Sequence, residues 1–349
     1  MLSIASRANR PYASLRFSAI VLLIASCLAP AFGQTSIFNE TFNGTGSTSS
    51  TPTNWLAQTV NGGYSRPNNS GVSNNRYAQL TTTTSNQATS LFYTGGFFNA
   101  QQPWTLTAYI HMGEANTNTV ADAITFAWIS ASSISATSQL APDNPGGTNG
   151  VGGGALGLYS PNSGFAKQGY AFEIDTWPNQ DATFGDPQLA NGNSAGNGTT
   201  TGYYRYSDLV KVNNTGSASS TWTHMANSLH DFSSSSIGTA FPRTSTALST
   251  LGGGWSQVTL AYNGNSNFTF TYPGNSYSFT TTNYTPSNKC YFGFTSSTGG
   301  STDVHAIDDI TLTGSTPEPK QGGILLLGLA GACAVGWARR RHPFTPPAA

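Results

Sequence analysis

The sequence predicts an all-β protein in which one large domain of two packed antiparallel sheets, residues 34–315, lies between two terminal segments of different character. Three observations predict it. Short segments alternate apolar and polar side chains, as where Trp104, Leu106, Ala108 and Ile110 oppose Thr105, Thr107, Tyr109 and His111. Gly, Ser, Thr and Asn abound and aromatic residues make up 12%, which suits twisted strands and tight turns. The chain of 349 residues is long enough for two domains, but both ends carry segments of a removable or membrane-embedded kind, and no internal repeat is evident.

At the start, Arg7, Arg10 and Arg16 precede the apolar run Phe17 to Leu28, and Ala31-Phe32-Gly33 offers a small-x-small cleavage site. Residues 1–33 therefore read as a secretory signal peptide, and the protein as exported. Ile24-Ala25-Ser26-Cys27 also fits a lipoprotein box, in which Cys27 would be lipidated. Of the three cysteines, Cys27 and Cys333 fall in the terminal segments, so Cys290 has no partner and the domain does not rest on internal disulfides.

Ile37 to Phe42 reads as an opening strand, and residues 43–75 as a loop-rich region. Tyr77 to Thr82, Ala88 to Phe98 and Trp104 to His111 follow as strands, with His111 a solvent-facing or hydrogen-bonded sheet residue. Val120 to Trp128 is an apolar strand with one acid, Asp122, which taken alone reads as a strand-end carboxylate accepting backbone hydrogen bonds. The glycines from Gly152 to Gly154 lead into a short strand ending at Tyr159. Neither a Lys-Ser/Thr pair nor a helix start follows them, so they are no phosphate cradle and instead allow close backbone approach.

The stretch from Tyr170 to Asp186 gathers Glu173, Asp175, Asn179 and Asp186 in a chain that is only 8% charged. Strand alternation puts Phe172, Ile174 and Thr176 on one face and Glu173, Asp175 and Trp177 on the other, so two carboxylates are forced together. Lys167 is the only basic residue between Gly164 and Tyr204, and a hard cation with oxygen ligands is the favoured way to satisfy them. Residues 187–220 read as a long surface loop, with Tyr203 to Tyr206 pinning it or widening a binding surface. Trp255 to Tyr262, Asn267 to Tyr272, Tyr277 to Thr281, Lys289 to Thr295 and Val304 to Thr313 close the sheets, with a hairpin turn at Asn263-Gly264.

The C-terminal segment, 316–342, has Pro317-Glu318-Pro319, the apolar run 322–338 and then Arg339-Arg340-Arg341. At about 17 residues the run is near the lower limit for a single membrane helix, and the arginines fit the positive-inside rule. The zero net charge gives no basic footprint, so nucleic acid is not expected as a partner.

The tail resembles the PEP-CTERM sorting signal of exopolysaccharide-producing bacteria, which implies an exosortase-type processing enzyme as partner and membrane anchoring that is transient or permanent. Four further motifs resemble the L-type (legume-like) lectins from about Ser36 to Gly314: Ala121 to Phe126, Gly153 to Leu158, Phe172 to Asn179, and Ser297 to Gly300 running on to His305. The resemblance implies a concanavalin-like (jelly-roll) β-sandwich that binds carbohydrate. By it, Asp122 would accept hydrogen bonds from sugar hydroxyls across a cis Ala121–Asp122 peptide, Gly154 would donate its N–H, and Trp177 and Asn179 would touch the sugar. Gly300 and Ser301 would form the specificity loop. Calcium would take Asp175, Asn179, Asp186 and the Trp177 carbonyl, while Asp175, Asp186 and Glu173 would hold a second, transition metal such as Mn2+. Where the family places a histidine after the second aspartate this chain has Asn191, and His224 is either that ligand displaced by an insertion or a plain surface histidine.

Two other readings compete. The family-16 type of glycoside hydrolase uses a Glu-x-Asp-x-(x)-Glu strand, which Glu173 and Asp175 match, but Trp177 and Pro178 stand where its third carboxylate belongs, so the reading is of a non-enzyme. A structural matrix protein could keep the scaffold without binding sugar. His305 with Asp303, Asp308 and Asp309 suggests no catalysis, since no nucleophile is indicated beside it, and His230-Asp231 reads as loop polarity. Exposed sheet edges could pair subunits into a homo-oligomer. The expected location is the cell surface or extracellular matrix.

Overall fold

The computed structural model describes residues 34–44, 47, 49–67, 72, 76–112, 122–142, 156–158, 166–176, 206–215, 221–231 and 255–315. Both terminal segments and Gly154, Trp177, Asn179 and Asp186 lie outside the described residues, and among those described no helix is long and apolar enough to cross a membrane.

Two antiparallel sheets make up the compact unit Thr35–Gly314. The back sheet runs in the order β1 (Gln34–Glu40), β15 (His305–Ser315), β5 (Trp104–Met112), β11 (Ser256–Tyr262), β12 (Asn267–Tyr272), β13 (Asn275–Thr280), with β3 (Ala78–Thr81) also paired to β15. The front sheet runs β10 (His230–Asp231), β8 (Tyr206–Thr215), β7 (Ala166–Asp175), β6 (Ala123–Ser130), β14 (Cys290–Ser297), β4 (Ala88–Tyr93), β2 (Trp55–Val60), with β9 (Thr221–His224) beside β8.

Alternation in sequence becomes alternation in burial. In β5 the Trp104, Leu106, Ala108 and Ile110 side chains are buried, and they meet the buried side chains of the front sheet across one aromatic core. Trp104 on β5 and Trp128 on β6 meet edge to face with ring centroids 5.2 Å apart, and Phe172 on β7 lies 4.8 Å from Phe270 on β12. Such pairs add about 0.5–1.5 kcal/mol each beyond the area they bury.

Seven of the eight residues of β6 are buried, because the outer side of the front sheet is covered as well. Leu140, Leu156 and Leu158 pack on Ala123, Ala127, Ala171, Val210 and Val212 there, and Leu140 and Leu156 accept hydrogen bonds through their carbonyls from Ser90 Oγ (2.7 Å) and Thr295 Oγ1 (2.5 Å). Leu156 and Gly157 both have positive φ, so residues 156–158 form a turn rather than the expected strand. Gly157 is required there, since a Cβ would meet the Ser296 and Thr89 carbonyl oxygens at 3.3 Å.

Several expected loops contain strands. β2 lies inside 43–75, where its Trp55 packs on Phe38, 5.2 Å between centroids; one short strand among turn formers leaves little periodic signal. β8 lies inside 187–220, and its odd residues Ser207 and Leu209 face the core while Tyr206, Asp208, Val210 and Val212 face outward. His230-Asp231 is the strand β10, not a loop. The expected Ala88 to Phe98 strand ends at Tyr93, and Phe98 forms an isolated bridge with Cys290. His111 is buried rather than facing solvent.

Candidate functional site

One end of the front sheet collects three segments far apart in sequence. Asp122 stands just before β6, where its backbone is held on both sides: its N–H donates to Ser297 O (3.1 Å), and its carbonyl accepts from Thr176 N (3.0 Å) and Thr176 Oγ1 (2.5 Å). The Asp122 motif, the Phe172 motif and the Ser297 loop are therefore contiguous in space. Asp122 is only 2% exposed.

The Ser297 loop has an anchor that sequence reading missed. Thr298 Oγ1 donates to Thr84 O (2.8 Å) and accepts from Gln87 N (3.0 Å), Thr298 N donates to Gln87 O (2.8 Å), and Asn86 N donates to Gly299 O (3.0 Å). The 84–87 turn thus splints the loop up to Gly299. Gly300 is exposed, with open space around it, and Ser301 is partly exposed, so both remain at the surface.

Behind this end, on the outer face of the front sheet, Glu173, Asp208 and His224 form a group that could hold a metal ion. Register explains their meeting: Glu173 on β7 pairs with Asp208 on β8, and Val210, two residues on, pairs with His224 on β9. His224 Nδ1 lies 2.7 Å from Asp208 Oδ2 and 3.8 Å from Glu173 Oε1. Asp208 and Glu173 are 0% and 1% exposed, and Asp208 Oδ1 has no hydrogen-bond partner among the described residues. Two buried carboxylates and an imidazole are a donor set that a divalent d-block cation accepts, and such an ion would offset the charge that burial otherwise disfavours.

The positions of the expected ligands differ in outcome. His224 does meet Glu173, whereas Asp175 belongs to no such group among the described residues. Asp175 is buried, and its Oδ2 accepts a hydrogen bond from Tyr206 Oη at 3.2 Å. Asp208 was not anticipated, because the segment holding it reads as loop; the alternation from Tyr206 to Val212 is the signal that could have revealed it.

His305 sits between the sheets beside the same end. Its Nδ1 lies 2.7 Å from Ser296 Oγ and 2.9 Å from Thr81 Oγ1. Ser296 Oγ donates its hydrogen to Ala123 O and Thr81 Oγ1 donates its own to Asp303 O, so Nδ1 carries the proton and donates to both oxygens. Nε2 is 3.9 Å from Asp303 Oδ2. The serine hidden from sequence spacing is therefore present, yet its hydrogen is committed to a backbone carbonyl and the histidine is 0% exposed. Burial, with His111 nearby, lowers the His305 pKa to about 3 and keeps the ring neutral. This set braces the strand that follows Asp122.

No protein-family model matches the sequence, and no curated protein matches it. Among solved structures, the chain is similar to a lectin from Bauhinia forficata in complex with GalNAc (17% identity, 82% of this chain and 100% of that one, TM-score 0.48). It is also similar to the Lotus tetragonolobus seed lectin isoform (13%, 82% and 100%, TM-score 0.47) and to the exoplasmic/lumenal domain of VIP36 in its Ca2+/Man3GlcNAc-bound form (17%, 74% and 83%, TM-score 0.42). At these identities and scores, function has to be read from this chain's own residues.

Proposed function

We propose that this protein is an exported, calcium-dependent carbohydrate-binding protein that recognises extracellular or cell-surface polysaccharide without cleaving it. The observation that carries the reading is the double backbone anchorage of Asp122, to Ser297 on one side and to Thr176 on the other. That anchorage gathers an acid, a surface Gly-Ser loop and Thr176, from which the carboxylate-bearing stretch of sequence continues, at one place, as recognition of a polyhydroxylated ligand needs.

In this reading Asp122 accepts from adjacent sugar hydroxyls, with Gly154, Trp177, Asn179, Gly300 and Ser301 completing the contacts. Asp175, Asn179, Asp186 and the Trp177 carbonyl hold calcium, which takes oxygen ligands of this kind. Glu173, Asp208 and His224 hold the second metal. The signal at 1–33 exports the chain, and the segment 316–342 sorts it through an exosortase-type enzyme.

A glycan array with and without chelator tests this, alongside Asp122→Asn. Expected is binding that chelation removes, that calcium restores, and that the variant loses by about tenfold or more, as for a hydrogen bond to a charged group. Release of reducing sugar would transfer the protein to the hydrolases, and binding indifferent to both chelator and variant would overturn the site.

A further inference from the structure

A cleft of about 740 Å³ opens where the inner face of β7, β8 and β9 runs out beyond the core, walled opposite by residues 282–287. Tyr170, Lys211 and Thr223 stand abreast on its floor, since Tyr170 pairs with Lys211 and Lys211 with Thr223 across three adjacent strands. Strands lie about 4.8 Å apart, so the row extends roughly 10 Å.

The cleft is preformed. Thr285 N donates to Tyr170 Oη (2.9 Å), Tyr170 Oη donates to Asn283 O (3.4 Å), and Gln101 Nε2 donates to Pro286 O (3.0 Å), tying the wall to the floor and to the neighbouring loop. Its volume falls within the roughly 300–1,000 Å³ usual for small-molecule sites.

Its chemistry selects a ligand class. Lys211 is exposed and makes no ion pair among the described residues, and no carboxylate of the described residues lines the cleft. Around it the Gln168, Thr223 and Asn283 side chains are exposed and make no hydrogen bond among the described residues. Trp128 and Tyr170 are buried and the partly exposed His224 imidazole is engaged with Asp208, so no free aromatic face is presented for stacking a nucleobase, and one lysine is a thin complement for a polyphosphate. Amides and hydroxyls around one ammonium suit a polyhydroxylated ligand with a single negative charge.

We propose that this cleft binds acidic oligosaccharide, with a carboxylate or sulfate ester on Lys211 and ring hydroxyls on Gln168, Thr223 and Asn283. The site is separate from that of Asp122 and does not depend on calcium.

Calorimetric titration of the purified protein with trigalacturonate, with the same trimer as its methyl ester, and with a sulfated galactan oligosaccharide tests the proposal. Expected is binding of one or both acidic probes, none of the neutral ester, weakening at high salt, and a loss of about tenfold or more in Lys211→Gln that Lys211→Arg partly restores. Lys211 is exposed, so an unchanged Tm for Lys211→Gln accompanies this. The two acidic arms identify which anion is preferred. The proposal is overturned if neither acidic probe binds, if Lys211→Gln binds as the parent does, or if Asp122→Asn removes the binding. Because Asp122→Asn acts on the Asp122 site alone, whereas a chelator would also strip a metal from His224, which lines the cleft, the variant makes failure of either site distinguishable from failure of the other.

Discussion

Asp208 faces Glu173 directly across the β7–β8 ladder, and its Oδ2 lies 2.7 Å from Nδ1 of His224. Metal added to chelator-stripped protein is therefore expected to stabilise it. Mn2+ or Zn2+ at about one hundred times its Kd should contribute about 2.7 kcal/mol, read as a rise in Tm. Asp208→Asn and His224→Ala should each remove that rise; a rise that survives in both would show that the metal sits elsewhere.

Asp308 gives stability a dependence on pH. Burial raises its pKa to about 7, against hydrogen bonds from Val72 N to Oδ2 and from Asp309 N to Oδ1, both 2.9 Å. A carboxyl whose folded pKa is raised contributes stability that is complete below the unfolded value of about 4 and is lost as pH rises to about 7. Urea midpoints should thus fall over that window relative to those of Asp308→Asn. Parallel profiles for the two proteins would refute this.

His305 acts with the opposite sign. Its folded pKa of about 3 lies below the unfolded value, so the stability it contributes is present above about pH 6.5 and is lost as pH falls toward 3. His305→Gln should flatten the acid limb. His305→Ala should cost about 2–4 kcal/mol at neutral pH, because it opens a cavity and leaves the Ser296 and Thr81 oxygens without their donor. Denaturant titrations of both variants at several pH values measure these effects.

Gly169 has no room for a side chain. A Cβ there would lie 2.2 Å from Trp128 O and 2.9 Å from Ile129 Cα, both parts of the paired strand β6. Gly169→Ala should destabilise by about 1–3 kcal/mol or more, since backbone must move, and should disturb the cleft beside Tyr170. An unaltered urea midpoint would show that the strands do not approach so closely.

By itself the sequence determined the two-sheet architecture, because alternation is a local property that each strand displays without reference to its neighbours. β5, β11 and β12 were legible for that reason, as were the crowding of Glu173 with Asp175 on one strand face and the lack of a partner for Cys290. Only the tertiary structure decided who stands opposite. Asp208 reached Glu173 through a register set by burial of Leu209 and Val210 on the two faces of β8, and Ser296 reached His305 because the two sheets stack there. The 84–87 turn became the splint of the Ser297 loop through backbone groups, which carry no residue signature. Cross-strand and cross-sheet neighbours depend on register and layer packing, and the spacing of residues along one chain encodes neither.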